Sequence, residues 1–103
     1  MIDKSKINLM KKTAFIINTS RGKVINERDL IRALKNNIIA GAGLDVYENE
    51  PISRSNQLTQ LPQTVLLPHI GSATFMTRSK MAEVAANNIV NFFYQRGIVY
   101  KIN

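Results

Sequence analysis

Short, unbroken runs of apolar residues that alternate with helix-forming stripes constrain the fold of this chain more than any other feature. The run Ala14–Ile17 is apolar throughout, as expected of a strand that is buried on both faces. A second run, residues 38–46, contains two glycines, which weaken a strand and indicate that another part of the chain packs closely against its backbone. A third run, Val65–Leu67, stops at Pro68. The pattern therefore predicts three short strands.

Helix signals precede and separate these strands. Asp3 can cap a short helix that extends to about Met10. Asn26 can cap a second helix, because acidic residues follow it in the first turn, where they suit the helix dipole. Asn37 is well placed to adopt the left-handed conformation that closes this helix, a role that glycine usually has.

The last part of the chain is predicted to be a long helix from Thr74 to about Arg96, closed by Gly97. Its apolar residues recur at helical spacing, and we expect this stripe to be buried. The stripe consists of Ala82, Ala86, Ile89 and Phe93. Between the second and third strands, the polar segment 47–63 is predicted to be a long loop, and loops of that length in compact domains are often functional.

The order of these elements predicts an α/β fold. Strands that alternate with helices form a parallel sheet with right-handed crossovers, so we expect about three parallel strands flanked by helices. A doubly wound nucleotide-binding domain usually contains about six strands in two halves. The pattern accounts for one such half.

Composition narrows the classes of partner. The chain has 14 Lys and Arg against 7 Asp and Glu, a formal charge of +7, but Lys11–Lys12 is the only adjacent basic pair, so we expect no nucleic-acid binding. Apolar runs are far shorter than the roughly 20 residues of a membrane helix, and residues 1–6 lack the apolar stretch of a secretory signal. We therefore expect no membrane association and a cytoplasmic location. With no cysteine and one histidine, no metal site is expected.

The residues that follow the three strands bring candidate chemistry to one edge of the sheet, since ligands bind at the carboxyl ends of parallel strands. These residues are Asn18 to Gly22, then Asp45 with Glu48 and Glu50, then His69 to Ser72. An arginine, several carboxylates and the only histidine are thus predicted to lie together.

Each of these residues also has an ordinary structural explanation. A lone histidine is more often a surface or hydrogen-bonded residue than a catalytic one, and Arg21 before a glycine fits an exposed turn. Glu48 and Glu50 fit a solvated loop, and Asp45 fits a turn cap. However, candidate residues follow all three strands, and this coincidence weighs against the structural explanations taken together.

Together the residues suit the reduction of a 2-oxo acid. An arginine fork binds a carboxylate in bidentate fashion and can polarise the ketone, and a histidine whose tautomer a carboxylate fixes can deliver a proton. The hydride must come from a cofactor, because no side chain donates one.

Three motifs support this interpretation. They are Ile17–Gly22 (INTSRG), Ala40–Pro51 (AGAGLDVYENEP) and Leu67–Thr74 (LPHIGSAT). In their residues, order and spacing, the three motifs resemble those of the D-isomer-specific 2-hydroxyacid dehydrogenases. The resemblance implies an NAD- or NADP-dependent oxidoreductase with a Rossmann-type cofactor domain, of which the three predicted strands would be a part. The third motif is most similar to the glyoxylate/hydroxypyruvate reductase branch.

The resemblance also implies the roles of individual residues. Arg21 would be the substrate-binding arginine, Glu50 the carboxylate partner and His69 the acid/base, whereas Glu48 does not fall on a catalytic position. Asp45 would lie at the nicotinamide carboxamide. The residues implied to lie beside the cofactor are Thr19, Ser20, Arg21, Asp45, His69, Ile70 and Gly71.

The phosphate-binding Gly-x-Gly-x-x-Gly motif does not occur in the sequence, because Val46 stands where the third glycine would follow Gly41 and Gly43. We therefore expect residues 1–103 to be the C-terminal half of an NAD(P)-binding domain, inactive in isolation and self-associating through its uncovered strand edge. The alternative is a non-catalytic α/β module for oligomerisation or partner binding. A cluster of Arg21, Glu50 and His69 within hydrogen-bonding distances would favour the dehydrogenase, and scattered side chains would favour the module.

Overall fold

Three strands and three helices make up the computed structural model, which describes residues 1–94 and 96. The elements are α1 (Lys4–Ile7), β1 (Phe15–Asn18), α2 (Glu27–Lys35), β2 (Gly41–Leu44), β3 (Thr64–Leu66) and α3 (Phe75–Tyr94), with 3₁₀ turns at Gly22–Val24 and Gln57–Gln60. Their order confirms the predicted alternation. The chain divides into two compact units, Met1–Gly71 and a second unit that begins at Ser72.

The three strands form one parallel sheet in the order β1–β2–β3. Phe15 pairs with Gly41, and Ala42 pairs with Thr64. β2 is shorter than the predicted run 38–46. Because all strands point the same way, their carboxyl ends lie at one edge, as the sequence predicted. Within the described residues, β1 pairs on one side only.

The predicted helix signals occur where the sequence placed them. Asp3 caps α1, and the side chain of Asn26 accepts a hydrogen bond of 3.0 Å from a first-turn N–H of α2. Asn37, just beyond α2, has a φ of 51°, in the left-handed region. Helix α1 is a single turn that ends at Ile7 rather than near Met10. Local capping chemistry therefore sets these helix ends.

The core lies on one face of the sheet. Ile16 and Leu44 pack there against Leu30 and Leu34 of α2 and Ile7 of α1, all 8% exposed or less. Burying a side chain of this size stabilises the fold by about 1.5–3 kcal/mol. This cluster holds the sheet and the first two helices together.

Side chains on the other face of the sheet are largely exposed. Phe15, Ile17 and Val65 point to this face and are 65%, 69% and 64% exposed. The prediction that Ala14–Ile17 is buried on both faces is wrong for Phe15 and Ile17. Alternation along a strand sends neighbouring side chains to opposite faces, and α1 and α2 contribute to the core on one face only.

Glycines in β2 allow close packing, as predicted. A Cβ atom at Gly41 would lie 2.6 Å from the carbonyl oxygen of Gln63 and 2.8 Å from the ring of Phe15. A Cβ atom at Gly43 would lie 2.9 Å from Cδ1 of Ile17. The small residues let the neighbouring strands and side chains approach the backbone.

Helix α3 belongs to the second unit and buries none of its described residues. It starts as predicted, where the Thr74 hydroxyl oxygen accepts the N–H of Thr77 at 3.1 Å. The prediction of a buried stripe is wrong, since its four members are exposed: Ala82, Ala86, Ile89 and Phe93. A helix buries a stripe only against a second layer, which this unit lacks within its described residues. The predicted closure at Gly97 lies outside the described residues.

None of the helices in the described part of the chain combines the length and the apolarity needed to span a bilayer.

Candidate functional site

The turn after β1 is built on a buried asparagine. Asn18 is 5% exposed, its Oδ1 accepts the N–H of Ser20 at 3.1 Å, and its Nδ2 donates to the carbonyl oxygen of Arg21 at 3.0 Å. These bonds satisfy the buried amide and fix the backbone of the turn. The side chain of Arg21 is left at the surface, at the carboxyl end of the strand.

His69 and Glu50 form a direct pair at this edge. Nδ1 of His69 lies 2.6 Å from Oε2 of Glu50, and the two side chains are 45% and 35% exposed. An ionised carboxylate only accepts, so Nδ1 carries the shared proton and Nε2 is left to exchange a proton with a ligand. The other oxygen of Glu50 accepts the N–H of Tyr47 at 3.0 Å.

Hydrogen bonding keeps Glu50 ionised. The bond from His69 contributes most to a pKa of Glu50 below its ordinary value, with the N–H of Tyr47 and the positive charge of Arg21 acting in the same direction. A carboxylate that stays ionised near neutral pH accepts the Nδ1 proton of His69 and so orients the imidazole.

Asp45 holds the backbone that follows His69. Its two carboxylate oxygens accept the N–H groups of Ile70 at 2.8 Å and Gly71 at 2.6 Å, and the side chain is 3% exposed. The bond from Ile70 contributes most to lowering the pKa of Asp45. His69 has a left-handed φ of 54°, which costs a non-glycine residue roughly 1–2 kcal/mol. The bonds to Asp45 stabilise the adjacent turn and offset this cost.

Tyr47 joins the ends of β2 and β3. Its hydroxyl donates towards the carbonyl oxygens of Leu67, at 2.8 Å, and Leu44, at 3.2 Å. Burial raises the pKa of Tyr47, so the hydroxyl remains a donor. The main chain of Tyr47 also packs directly on Gly22, where a Cβ atom would lie 1.9 Å from its carbonyl carbon. The turn that contains Arg21 therefore packs closely against the segment that contains Glu50.

Arg21 lies in the same edge but is not bonded to the pair. Its guanidinium Nη1 donates to the carbonyl oxygen of Ser20 at 2.7 Å, and in the described part of the chain it forms no ion pair with Glu50 or His69. It nevertheless lowers the pKa of Glu50 through its charge. The edge thus brings together an acid–base pair and an exposed cation.

Glu48, which sequence reasoning set aside, has a structural role. Its Oε1 accepts the N–H of Glu27 at 2.9 Å, while Oε2 of Glu27 accepts the N–H of Glu48 at 3.3 Å. Asn56 donates to Glu27 at 2.7 Å. We call the reciprocal Glu27–Glu48 contact the clasp. The two glutamates are 21 residues apart, so the sequence does not show that they meet. Its only hint was that Glu27 stands in the first turn of a predicted helix, where an acidic side chain is favourable.

Comparison with known proteins identifies the family. Residues 1–71 match the family described as D-isomer specific 2-hydroxyacid dehydrogenase, NAD binding domain. The chain belongs to this family. The resemblance of the three motifs is confirmed.

Relatives within the dehydrogenase family include reductases of small 2-oxo acids. Glyoxylate reductase of Korarchaeum cryptofilum is 50% identical over 92 residues, which cover 89% of this chain and 28% of that protein. Glyoxylate/hydroxypyruvate reductase B of Serratia proteamaculans is 50% identical over 90 residues, which cover 87% and 28%. The chain therefore spans little more than a quarter of the length of these relatives.

Solved dehydrogenase structures share the fold. The NADPH-dependent glyoxylate/hydroxypyruvate reductase of Sinorhizobium meliloti, solved with NADP and malonate, has a TM-score of 0.85 at 37% identity, covering 89% of this chain and 28% of that one. A 2-hydroxyacid dehydrogenase of Ketogulonicigenium vulgare has a TM-score of 0.91 at 29% identity, covering 100% and 32%. The partial Rossmann-type α/β architecture is thus confirmed.

The edge offers groups that fit a nicotinamide nucleotide of this family. Thr19 and Ser20 are exposed at the end of β1, beside a groove of about 420 Å³ that Ile17 also lines. Ile70 presents an exposed apolar side chain on the turn after β3. Asp45 is different, because each of its oxygens is already bonded to a backbone N–H and little of its surface is accessible. No group of three potential metal ligands occurs among the described residues.

Proposed function

We propose that residues 1–103 provide the catalytic edge of an NAD(P)H-dependent oxidoreductase that reduces a 2-oxo acid to a D-2-hydroxy acid. The observation that carries the proposal is the 2.6 Å pair of His69 and Glu50 at the strand edge that also presents Arg21. The names of the relatives, glyoxylate reductase and glyoxylate/hydroxypyruvate reductase, favour a small substrate of that type.

Each residue of the cluster has a chemical role in this reaction. Arg21 binds the substrate carboxylate, for which the planar guanidinium offers two parallel donors. His69 donates the Nε2 proton to the carbonyl oxygen of the substrate and is left as a neutral imidazole, whose Nδ1–H still donates to Glu50. Glu50 accepts the Nδ1 proton and holds the ring in the orientation for this transfer. A bound nicotinamide cofactor supplies the hydride that reduces the carbonyl carbon.

The cofactor is proposed to be NAD or NADP, held beside the same edge. Thr19 and Ser20 offer hydroxyl groups at the end of β1, and Ile70 offers an apolar surface. Gly71 lets the backbone of this turn approach the Asp45 carboxylate closely, since a Cβ atom there would lie 2.9 Å from Oδ2. Asp45 would act at the carboxamide through lone pairs that the two backbone bonds leave free. Arg21 and His69 complete the proposed cofactor set.

The 103 residues are proposed to correspond to the C-terminal half of the cofactor domain. The Gly-x-Gly-x-x-Gly loop that binds the pyrophosphate is not in this sequence. We therefore expect these residues, purified alone, to give no turnover. NAD(P)H-dependent reduction of glyoxylate by the isolated chain would contradict this expectation.

Catalysis is tested in the whole protein that contains these residues. Glyoxylate and hydroxypyruvate are offered with NADH and with NADPH, and the loss of reduced nicotinamide is followed by absorbance. His69→Gln should lower kcat by about 10²–10⁴-fold, because the proton donor is lost. Arg21→Gln should raise KM for the 2-oxo acid, whereas Lys23→Gln, which removes an exposed cation two residues away, should not. Failure of the wild-type protein to reduce either acid with either cofactor would refute the proposal.

We also propose that the protein is a cytoplasmic homo-oligomer. Among the residues that the structure describes, β1 pairs on one side only and α3 has exposed apolar side chains, and association would cover this backbone and this apolar surface. Sedimentation of the 103-residue chain tests its self-association, and a single species at the monomer mass of 11.6 kDa would contradict it.

A further inference from the structure

The clasp lies next to the acid–base pair in the chain. Glu48 is two residues before Glu50, and Tyr47, the residue before Glu48, donates its N–H to Glu50. The segment 47–50 is therefore held at two points, by the Tyr47 hydroxyl on Leu67 and by Glu48 on Glu27. Glu50 projects from this segment towards His69.

Helix capping alone does not account for the clasp. Asn26 already caps α2, accepting the N–H of Asp29 at 3.0 Å. The Glu48 carboxylate adds a bond to the N–H of Glu27, the first residue of the helix, and Glu27 returns a bond to the backbone of Glu48. Asn56, which is partly buried, fixes the second oxygen of Glu27 at 2.7 Å. The contact ties a helix end to the loop that bears Glu50.

We propose that Glu48 is a positioning residue for Glu50, and that the clasp sets the position at which the Glu50 carboxylate meets the His69 imidazole. The rigid end of α2 serves as the reference point for an otherwise irregular loop. The catalytic relevance of this inference rests on the proposed function, but the positioning itself does not. Loss of the Glu48 carboxylate lets the loop shift, and Glu50 then no longer holds the Nδ1 proton of His69.

The single histidine of the chain makes the positioning measurable without catalysis. Because His69 is the only imidazole, its ¹⁵N and ¹H signals in the 103-residue chain need no separation from others. The nitrogen shifts above the pH of imidazole titration give the fraction of neutral His69 that carries its proton on Nδ1. Contact with Glu50 favours that tautomer, and Glu50→Ala defines its loss.

Three variants test the assignment. Glu48→Ala should move the tautomer fraction at least half of the way from the wild-type value to the Glu50→Ala value. Glu48→Gln keeps an oxygen that accepts the N–H of Glu27, so it should stay near the wild type. Asn26→Ala removes a cap from the same helix without touching the clasp, and it should lower stability but leave the tautomer unchanged.

Two results would overturn the inference. One is a wild-type tautomer fraction in folded Glu48→Ala. The other is an equal shift in Asn26→Ala, which would trace the effect to general weakening of α2. In the whole protein, Glu48→Ala should lower kcat about tenfold with little change in KM, as expected when the acid–base pair is misplaced. An inactive wild type would refute the proposed function, while the tautomer measurement would still decide the role of Glu48.

Discussion

The loop of residues 45–50 and helix α3 differ in how they are held. The loop has no regular secondary structure, yet its polar side chains Asp45, Tyr47, Glu48 and Glu50 each have a defined hydrogen-bond partner. Helix α3 is regular over 20 residues and has no buried residue among those described. An ion pair on its surface joins exposed Lys80 and Glu83, which lie one turn apart.

This difference shows that regular backbone structure and tertiary fixation are separate properties. A helix satisfies its own backbone groups wherever it lies, and its side chains need a second layer to be fixed. An irregular loop must find partners for its polar groups elsewhere in the chain. The loop therefore depends on distant residues such as Gly22 and Glu27, and single substitutions should affect it far more than they affect α3.

The largest effect is expected for Gly22→Ala. The new Cβ atom would lie 1.9 Å from the carbonyl carbon and oxygen of Tyr47, so backbone must move on one side or the other. We expect a loss of more than about 3 kcal/mol in the free energy of unfolding, measured by urea titration. Gly43→Ala is the control, because its Cβ atom meets only the mobile end of Ile17 at 2.9 Å. Equal losses in both variants would contradict the close approach at Tyr47.

The second-largest effect is expected at acid pH, where the free energy of unfolding should fall. The pKa values of Glu50 and Asp45 are lowered in the folded chain, chiefly by bonds from His69 and Ile70, from ordinary values of 4.5 and 3.8. The unfolded chain therefore binds more protons as the pH falls. The stability that these carboxylates contribute is present above those ordinary values and is lost as the pH falls through the lowered folded values.

Urea midpoints measured from neutral pH down to about pH 2 test this dependence. The double variant Glu50→Gln, Asp45→Asn should show a flatter profile than the wild type. Glu83→Gln, which removes the carboxylate of an exposed pair on α3, should follow the wild-type profile. If the urea midpoint of the double variant depended on pH as strongly as that of the wild type, groups other than Glu50 and Asp45 would cause the acid sensitivity.

A smaller loss is expected for Tyr47→Phe. The ring stays in place, but the bonds from the hydroxyl to the carbonyl oxygens of Leu67 and Leu44 are lost. The expected cost is about 1–3 kcal/mol, because the carbonyl oxygens of buried Leu44 and of partly exposed Leu67 both lose the hydroxyl as donor. Thermal unfolding measures it. A variant as stable as the wild type would mean that water replaces the hydroxyl.

The smallest effect is expected on α3. Ile89 is 61% exposed, so Ile89→Gln should change the unfolding free energy of the 103-residue chain by no more than about 0.5 kcal/mol. Leu34→Ala, in the core, provides the contrast and should cost about 2–5 kcal/mol. A cost for Ile89→Gln in the range of a core substitution would reveal packing of this side chain.

Local chemistry made much of the fold predictable. The Asp3 and Asn26 caps and the left-handed Asn37 depend on neighbours within a few residues, and all three were confirmed. Burial depends on which layer lies opposite. Phe15 and Ile17 are apolar like Ile16 but face away from the packed helices, so composition alone predicted their burial wrongly.

The candidate site was predictable in outline. Parallel strands bring their carboxyl ends to one edge of the sheet irrespective of their exact lengths and register. The structure contains the expected contact between Glu50 and His69 at this edge. The functions of Arg21, Glu50 and His69 stay predictions. The clasp could not be foreseen, because contacts between Glu27 and Glu48 depend on the three-dimensional path of the loop.

The contact between Gly22 and the main chain of Tyr47 affects the distance between the positive charge of Arg21 and the negative charge of Glu50. Main-chain atoms, rather than flexible side chains, separate the strand end that bears the cation from the segment that bears the anion. Thermal motion of the Arg21 and Glu50 side chains is thus superimposed on a spacing that the backbone itself determines, and a side chain in place of Gly22 would widen it.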